Sequence, residues 1–253
     1  MVTNEIKHAL VRKPGTTFLN CISSHPQRHA LDLSVARVQH SNYCKALEEL
    51  GIELIQLHSI DYADSCFVED TAIIYNDKAL ISRMGAESRR GEEKTVQQVL
   101  QEYMMIQKVV YPATIEGGDV IHLPNRLISG VTKRTNAEGV SQMSSKLGIK
   151  VDTIIDPTIV HLKSYVTFLG KNTLVTTKTY ANHPVLSKFE KIVVPKEEMY
   201  AANTLAIGTT VLMADGYPII QSMVRELGFD VISLEMSEFQ KCEGALTCLS
   251  ILF

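Results

Sequence analysis

The feature that most constrains this chain is a weak unit that recurs along it. In each copy a β-rich segment leads to a cluster of polar residues, and two apolar segments then follow around a tight polar turn. The copies begin with IELIQLH, KVVYPATIEGGD, VDTIIDPTIVHLKS and KIVVPKEEMYAAN. Equivalent places are held by Asp70, Asp119, Ser164, Asn203 and Cys248, at intervals of roughly 40–50 residues, the period of propellers and solenoids.

The last copy, DVISLEMSEFQKCEGALTCLSILF, lacks a return strand of its own. The N-terminal stretch IKHALVR has the pattern to supply that strand and to close a ring. We therefore predict an α/β fold, a five-fold pseudosymmetric α/β propeller of ββαβ-like units. In such a ring the polar clusters converge on the central axis, so five distant segments line one pocket.

Helices are predicted between the units. Apolar residues at helical spacing mark residues 43–50, 96–103, 140–147 and 220–227. Pro218 suits a helix start, and Gly51, Gly148 and Gly228 suit helix stops. The third unit shows only a short helical segment between residues 180 and 191. Because no Ser/Gly-rich linker divides the chain, we expect residues 1–253 to form a single domain.

Charge and cysteine content exclude several classes of protein. A net charge of −3 argues against nucleic acid and against an anionic membrane as partners, since both favour a basic surface. No apolar run approaches the roughly 20 residues that span a bilayer. The five cysteines lack CxxC spacing, which predicts free thiols in the cytoplasm, with neither a disulfide framework nor a zinc site.

The polar clusters indicate a cation site with a nucleophile. A pocket lined by carboxylates prefers a cation, and planar guanidinium fits two-oxygen acceptors best. A cysteine with a histidine and an acid is typical of nucleophilic catalysis. Considered separately, Cys248 is more typical of a buried apolar residue, and His161 is more typical of a structural residue. Their equivalent places in the repeat instead favour a functional role for both. The clusters contain Asp64, Glu69, Asp70, Glu116, Asp119, His161, Lys163, Asn203 and Cys248.

Six segments carry a resemblance to a known family: DSCFVED, GAESRRGE, EGGD, KRTNAEG, HLKS and LTCLS. They resemble the dimethylargininases of the pentein (guanidino-group-modifying) superfamily, in family order, from about residue 7 to 253. EGGD is shared across the superfamily, whereas GAESRRGE and RTNAEG are narrower. The resemblance implies a five-bladed α/β propeller that hydrolyses N-omega-methylated arginine to citrulline and a methylamine, without metal or cofactor.

Catalytic roles follow from the same resemblance. It implies that Cys248 is the nucleophile and forms a covalent thiouronium intermediate. His161 is implied as the general acid and base, and Glu116 as the group that orients it. Because nearby carboxylates raise the pKa of a thiol, we expect the Cys248 thiolate to form only when a cationic substrate arrives.

Substrate-binding roles are carried over in the same way. Asp70, with Glu69 beside it, is implied to accept hydrogen bonds from the guanidinium. Arg89 and Arg134 are implied to clamp the α-carboxylate. Asp64 is implied to meet the α-amino group, helped by backbone carbonyls near Ile22 and Cys242, and the loop around residues 14–25 resembles a mobile lid.

Lys163 marks a departure that bears on the substrate. Arginine deiminases usually carry an aspartate two residues after the histidine, where this chain has Lys163. Without that carboxylate one terminal nitrogen is held less tightly, which favours methylated arginine. The alternatives are an enzyme of the superfamily that acts on arginine or transfers an amidino group, and a non-catalytic propeller used as a binding module. A homodimer is compatible with this fold, but no interface is identified.

Overall fold

The computed structural model describes residues 6–253 and shows an α/β protein with five three-stranded sheets. Among these residues the α-helices are α1 (Leu33–Glu49), α2 (Glu93–Leu100), α3 (Ala137–Leu147), α4 (Pro218–Glu226) and α5 (Ser237–Lys241). The strands are β1 (His8–Arg12), β2 (Glu53–Leu57), β3 (Ala72–Tyr75), β4 (Lys78–Ile81), β5 (Met105–Lys108), β6 (Val120–Leu123), β7 (Arg126–Val131), β8 (Val151–Ile155), β9 (Val166–Gly170), β10 (Thr173–Thr177), β11 (Glu190–Val194), β12 (Leu205–Ile207), β13 (Thr210–Ala214), β14 (Asp230–Leu234) and β15 (Ser250–Leu252).

Four of the sheets are built in the same way. An antiparallel hairpin comes first, and a third strand then returns parallel to the second strand of that hairpin, as in β3-β4-β5, β6-β7-β8, β9-β10-β11 and β12-β13-β14. The predicted ββαβ-like unit is thereby confirmed. The β-rich segment that opens each copy in the sequence forms the third strand of a sheet whose hairpin belongs to the preceding copy.

The fifth sheet joins the two ends of the chain. Its order is β15-β1-β2, with β1 antiparallel to β15 and parallel to β2. Leu10 lies opposite Ile251 on one side and Ile55 on the other. The predicted return strand from the N-terminal stretch is therefore confirmed.

The predicted helices lie between the strands as expected, and Val96 and Leu100 of α2, for example, are both fully buried. Tyr103 and Leu227, which were predicted on the apolar faces, instead lie beyond the ends of α2 and α4 and are exposed. Pro218 begins α4 and Gly148 ends α3 in the left-handed conformation, at φ 70°. The third unit has no α-helix within the described chain, only the short 3-10 helix Pro184–Leu186. This also agrees with the sequence pattern.

Short 3-10 helices precede the inner strand of each hairpin and carry the polar clusters. In three places the polar residue at the repeat position accepts a hydrogen bond from the backbone of the next unit. These bonds support the alignment of the units, because each joins the repeat position of one unit to a backbone N–H just before the repeat position of the next, 43–48 residues along the chain. They join Asp70 to the N–H of Gly118 at 2.9 Å, Asp119 to that of Leu162 at 2.9 Å and Asn203 to that of Thr247 at 3.0 Å.

The prediction that all five cysteines are free thiols is wrong for two of them. Cys21 and Cys242 form a disulfide across 221 residues of sequence. Cys44 and Cys66 are buried free thiols, and Cys248 is a partly exposed one. The cysteine pattern therefore no longer argues for a reducing compartment. Within residues 6–253, no helix has the length and apolar character needed to cross a membrane.

Candidate active site

The 3-10 helices bring the predicted site residues together. Val68–Thr71 contacts both Gly117–Asp119 and Thr247–Leu249, and Gly117–Asp119 also contacts Leu162–Ser164. Residues from four units of the repeat thus lie side by side. The site is acidic: six carboxyl side chains, five of them buried and that of Glu69 partly buried, gather with four cationic ones. The acids are Asp64, Glu69, Asp70, Glu92, Glu116 and Asp119, and the cations are Arg12, Arg89, His161 and Lys163.

His161 is held by Glu116. The Nε2 atom of His161 lies 2.7 Å from one oxygen of Glu116, and the other oxygen accepts from the N–H groups of Gly85 at 2.9 Å and Ala86 at 3.3 Å. Burial alone lowers the pKa of His161, but the carboxylates of Asp70 and Glu116 outweigh it and raise this pKa to about 9. Burial acts to raise the pKa of Glu116, yet its hydrogen bond to His161 lowers it. The pair is therefore an imidazolium and a carboxylate at neutral pH.

Two glycines of the EGGD segment allow this close approach. A Cβ atom on Gly118 lies 2.7 Å from a carboxylate oxygen of Asp70 and 2.8 Å from the ring of His161. A Cβ atom on Gly117 lies 2.0 Å from the carbonyl oxygen of Glu69. All three distances are shorter than van der Waals contact allows. The two glycines are therefore required by packing at the site, in addition to any role in the turn.

Cys248 lies at the edge of the acid cluster. Its backbone N–H donates to the carbonyl of Ala245, and its side chain is a free thiol. Burial, together with the charges of Glu69 and Asp70, raises the pKa of Cys248 to about 12. The thiol is therefore protonated at neutral pH before a cationic substrate binds. This supports the expectation that a cationic substrate promotes the thiolate.

Glu69 is tied to two neighbours. One carboxylate oxygen forms an ion pair with Lys163, and the other accepts from the hydroxyl of Thr247 at 2.8 Å. Asn203 then donates to the carbonyl of Lys163 at 3.1 Å and to the hydroxyl of Thr247 at 3.0 Å. Burial raises the pKa of Glu69, with Lys163 opposing the shift. Lys163 therefore supplies a buried positive charge to Glu69, whose other oxygen accepts from Thr247, the residue before Cys248.

Arg89 is placed differently from its predicted role. Its Nη1 lies 2.7 Å from a carboxylate oxygen of Asp70, and its Nη2 lies 2.9 Å from Glu92. Nη2 also donates to the carbonyls of Asp64 and Phe67, at 3.3 and 3.2 Å. These N–H groups already have protein acceptors, so the guanidinium is not presented to a substrate carboxylate in this conformation.

Arg134 lies near Asp64 and is half-buried, and its charge acts to lower the pKa of that acid. Within residues 6–253, the hydrogen bond that Arg134 donates comes from its backbone N–H, to the hydroxyl of Thr132. Of the two arginines predicted to bind the α-carboxylate, Arg134 therefore has the guanidinium group that is more available to a substrate.

Asp64 meets the N-terminal loop. Its carboxylate accepts from the N–H of Ile22 at 3.1 Å, and burial raises its pKa. The predicted contact of Ile22 was through its carbonyl, so the structure adds a donor at this position. Cys242 reaches the same loop through its disulfide to Cys21. The loop is therefore attached beside Asp64 at two points.

Comparisons with known proteins agree with this geometry. A family model described as "N,N dimethylarginine dimethylhydrolase, eukaryotic" matches residues 14–179. The N(G),N(G)-dimethylarginine dimethylaminohydrolase of Pseudomonas aeruginosa is 32% identical over 98% of this chain and 99% of its own length. The chain belongs to the dimethylarginine dimethylaminohydrolase family.

One further member of the dimethylarginine dimethylaminohydrolase family and one solved structure are similar to the chain over nearly its whole length. The enzyme of that name from Streptomyces coelicolor is 34% identical over 97% of this chain and 96% of its own. A solved structure of the Pseudomonas aeruginosa protein, a cysteine-to-serine variant complexed with citrulline, superposes with a TM-score of 0.95. It is 30% identical and covers 98% of this chain and all of the other.

Some groups in this dimethylarginine dimethylaminohydrolase site were not predicted from sequence. Glu92 is fully buried against Arg89, and Thr247 donates to Glu69. The backbone of Gly85 and Ala86 holds Glu116. Glu92 lies within the GAESRRGE segment, whose density of charge was a usable signal. The backbone N–H donors of Gly85 and Ala86 have no signature in the sequence, because almost any residue type can provide such a group.

A metal ion is poorly suited to the same place. Asp70, Glu116 and His161 approach one another closely enough to ligate one cation. However, the guanidinium of Arg89 lies 2.7 Å from Asp70 and 3.8 Å from Glu116, and His161 is protonated at neutral pH because its pKa is about 9. The carboxylates are thus already matched by positive charge from the protein.

Proposed function

We propose that this protein hydrolyses N-omega-methylated arginine, that is asymmetric dimethylarginine and monomethylarginine, to citrulline and the corresponding methylamine. The observation that carries the proposal is the cluster of Cys248, His161 and Glu116 beside the buried carboxylate of Asp70. It combines a nucleophile, a proton donor and an acceptor for a planar cation. The membership of the chain in the dimethylarginine dimethylaminohydrolase family supports the same reaction.

The substrate is proposed to lie with its guanidinium on Asp70, near Glu69. A carboxylate accepts two parallel hydrogen bonds from a guanidinium, which fixes the plane of the cation. At the other end of the substrate, Asp64 is proposed to meet the α-amino group, near Ile22 and Cys242. Arg134 is proposed to meet the α-carboxylate.

The first chemical step forms a carbon–sulfur bond. When the cationic substrate binds, the Cys248 thiol loses its proton to solvent water, and the thiolate attacks the central guanidinium carbon to give a tetrahedral adduct. The bond from that carbon to the methylated nitrogen then breaks, and His161 donates its proton so that dimethylamine leaves as a neutral amine. An S-alkylthiouronium on Cys248 remains.

The second step returns the enzyme to its starting state. His161, now neutral, accepts a proton from a water molecule that attacks the thiouronium carbon. The carbon–sulfur bond then breaks, the remaining proton of the water passes to the departing sulfur as the carbonyl forms, and citrulline is released with Cys248 again a thiol. Glu116 holds the imidazole in one orientation through both proton transfers, because its other oxygen is fixed by the N–H groups of Gly85 and Ala86.

Lys163 supports a preference for methylated arginine. Its ammonium pairs with Glu69, so this position offers a buried cation where arginine deiminases offer a carboxylate. The acid that binds the terminal nitrogens of free arginine in arginine deiminases is thus replaced by Lys163, whose charge is positive like that of the substrate guanidinium. We propose that the terminal nitrogen facing Lys163 is therefore the methylated one.

The test is release of citrulline from asymmetric dimethylarginine and from arginine, for wild type, Cys248→Ser and the control Cys44→Ser. Cys44 is a buried free thiol on α1, so it reports any general effect of removing a thiol. We expect activity on the methylated substrate that Cys248→Ser abolishes and Cys44→Ser retains. Activity mainly on arginine contradicts the Lys163 argument, and absence of activity on both substrates contradicts the proposed reaction.

We also propose that residues 1–253 form one domain in which the five sheets close into a five-bladed propeller. Contacts between strands of different sheets support this arrangement: β15 with β3, β6 with β9, and β9 with β12. A crystal structure tests the closure directly. The oligomeric state is tested by sedimentation, where a homodimer, which is compatible with the fold, and a monomer differ twofold in mass.

A further inference from the structure

Four residues beside Cys248 are joined into a closed hydrogen-bond ring, and each comes from a different unit of the repeat. The Thr247 hydroxyl donates to one oxygen of Glu69 at 2.8 Å, and the Lys163 ammonium pairs with the other oxygen. Asn203 closes the ring, because its Nδ2 donates to the carbonyl of Lys163 at 3.1 Å and to the hydroxyl of Thr247 at 3.0 Å. Asn203 and Thr247 are only 3% and 4% exposed, so water competes little for these bonds.

Two backbone groups fix the direction of the bonds in this ring. The carbonyl of Lys163 can only accept, so it must face the amide nitrogen of Asn203. The N–H of Thr247 can only donate, and it lies 3.0 Å from the amide oxygen. The second hydrogen of the amide nitrogen then goes to the Thr247 hydroxyl. The hydrogen of that hydroxyl is left for Glu69, which therefore has a donor on each of its oxygens.

We infer that Asn203 and Thr247 are positioning residues for the proposed reaction: Asn203 fixes the backbone that carries Cys248, and the Thr247 hydroxyl holds the Glu69 carboxylate for the substrate cation. This inference rests on the proposed function. In two other units an aspartate fills the place of Asn203 and accepts a bond from the backbone of the next unit. Only the amide of Asn203 both accepts such a bond and donates to a backbone carbonyl.

Asn203 links two 3-10 helices of the site. The first, Leu162–Ser164, directly follows His161. The second, Thr247–Leu249, contains Cys248. One buried amide therefore helps to set the distance between the proposed proton donor and the proposed nucleophile. Because the reaction needs both at one guanidinium group, loss of this amide should lower kcat more than it changes KM.

The charge of Glu69 gives the Thr247 hydroxyl a measurable signature. Burial raises the pKa of Glu69, whereas the Lys163 charge and the hydrogen bond from Thr247 act to lower it. Loss of the hydroxyl therefore raises this pKa further, so Glu69 takes up a proton and ceases to attract a cation at a higher pH. The remaining titratable groups around it stay as they are: Asp70 with its partners Arg89 and His161, the Cys248 thiol and the Tyr43 hydroxyl.

The first test measures binding of asymmetric dimethylarginine to the Cys248→Ser protein, where ionisation of the Cys248 thiol does not contribute. Calorimetry from acidic to neutral pH compares this parent with the same protein carrying Thr247→Val, Thr247→Ser or Thr177→Val. Valine has nearly the shape of threonine without the hydroxyl, and serine keeps the hydroxyl. Thr177→Val is the matched control, because the buried hydroxyl of Thr177 has no hydrogen-bond partner within residues 6–253.

We expect Thr247→Val to move the acid limb of the affinity profile to higher pH. On that limb binding should weaken by about tenfold or more, the effect of losing one hydrogen bond to a charged group. Thr247→Ser and Thr177→Val should keep the limb of the parent. An acid limb in Thr247→Val that coincides with that in Thr177→Val overturns the role of the hydroxyl, and so does an equal shift in Thr247→Ser. If Thr247→Val does not fold, Thr247→Ala takes its place.

The second test measures kcat and KM for asymmetric dimethylarginine in Asn203→Ala, with Thr177→Val again as the control. We expect kcat to fall by about tenfold or more, while KM changes by less than about threefold. Circular dichroism and thermal melting check the fold. If Asn203→Ala does not fold, Asn203→Asp replaces it, since it keeps the shape and the acceptor for the Thr247 N–H. A wild-type kcat, or a loss that lies in KM alone, overturns the role of Asn203.

Failure of the proposed function is recognised separately. If wild type releases no citrulline but the Cys248→Ser protein binds asymmetric dimethylarginine, the proposed reaction fails and the role of Asn203 fails with it. The role of the Thr247 hydroxyl is then still decided by the binding profiles. Absence of binding to the Cys248→Ser protein at every pH overturns both halves of the inference.

Discussion

The Nε2 atom of His161 lies 2.7 Å from a carboxylate oxygen of Glu116, although 45 residues separate the two in sequence. Glu116 is fully buried and is itself held by two backbone N–H groups. The imidazole therefore has one orientation and carries a proton at neutral pH. Two of the predictions below concern the charges and packing around this pair.

Glu116→Gln should lower the pKa of His161. The carboxylate stabilises the imidazolium, so its loss favours the neutral ring, and the pKa falls from its raised value of about 9. We expect the basic limb of the kcat/KM profile to move to lower pH and kcat to fall by about 10²-fold or more. Glu87→Gln is the control, because Glu87 follows Gly85 and Ala86, which donate to Glu116, but has its own side chain 84% exposed. An unmoved basic limb in Glu116→Gln contradicts the role given to the pair.

Alkylation of Cys248 should be slow at neutral pH in the substrate-free protein. The pKa of this thiol is about 12, so the thiolate fraction rises steadily with pH. We expect the rate of reaction with iodoacetamide, followed by mass spectrometry at Cys248, to keep rising above pH 9. Cys248→Ser gives the background from other thiols. A rate that is already constant from pH 6 upwards indicates a preformed thiolate and contradicts the expectation.

Gly118→Ala should impair catalysis more than folding. The added Cβ meets two side chains, those of Asp70 and His161, and side chains can shift by a few tenths of an ångström. Displacing them should lower kcat/KM by about 10²-fold. In Gly117→Ala the added Cβ meets the backbone oxygen of Glu69, which is less free to move. That variant should lower the melting temperature more, and equal melting temperatures for the two would contradict this distinction.

Reduction of the Cys21–Cys242 disulfide should destabilise the fold. The bond closes a long loop and so restricts the unfolded chain, a contribution typically of about 2–4 kcal/mol. Urea unfolding of wild type with and without dithiothreitol measures the difference. The double variant Cys21→Ser with Cys242→Ser should match the reduced wild type and be insensitive to the reagent. Identical midpoints for oxidised and reduced wild type indicate that the bond contributes nothing.

Much of the architecture is predictable from sequence because its determinants are local. Helical spacing of apolar residues, Pro218 and Gly148 at helix ends, and polar hairpin turns each act within a few residues. Even the place of β1 beside β15 follows from counting strands in the repeat. The repeat also predicts that the polar clusters meet, which the hydrogen bonds between units support.

The remaining details depend on choices that the sequence does not encode locally. The guanidinium of Arg89 can face a protein acid or a substrate acid, and only its packing against Glu92 and Asp70 decides between them. The Cys21–Cys242 disulfide was missed because an odd number of cysteines, with no regular spacing, gives no sign of which two lie close. Both depend on contacts between distant parts of the chain.

The pairing of β1 with β15 also has a consequence during translation. Cys248 lies just before β15, so the ribosome adds the proposed nucleophile after every acid, histidine and arginine of the pocket. A nascent chain that has already gathered its carboxylates can attract a cation but has nothing with which to attack it. Catalytic competence therefore arrives in one step, when the last strand docks against the first.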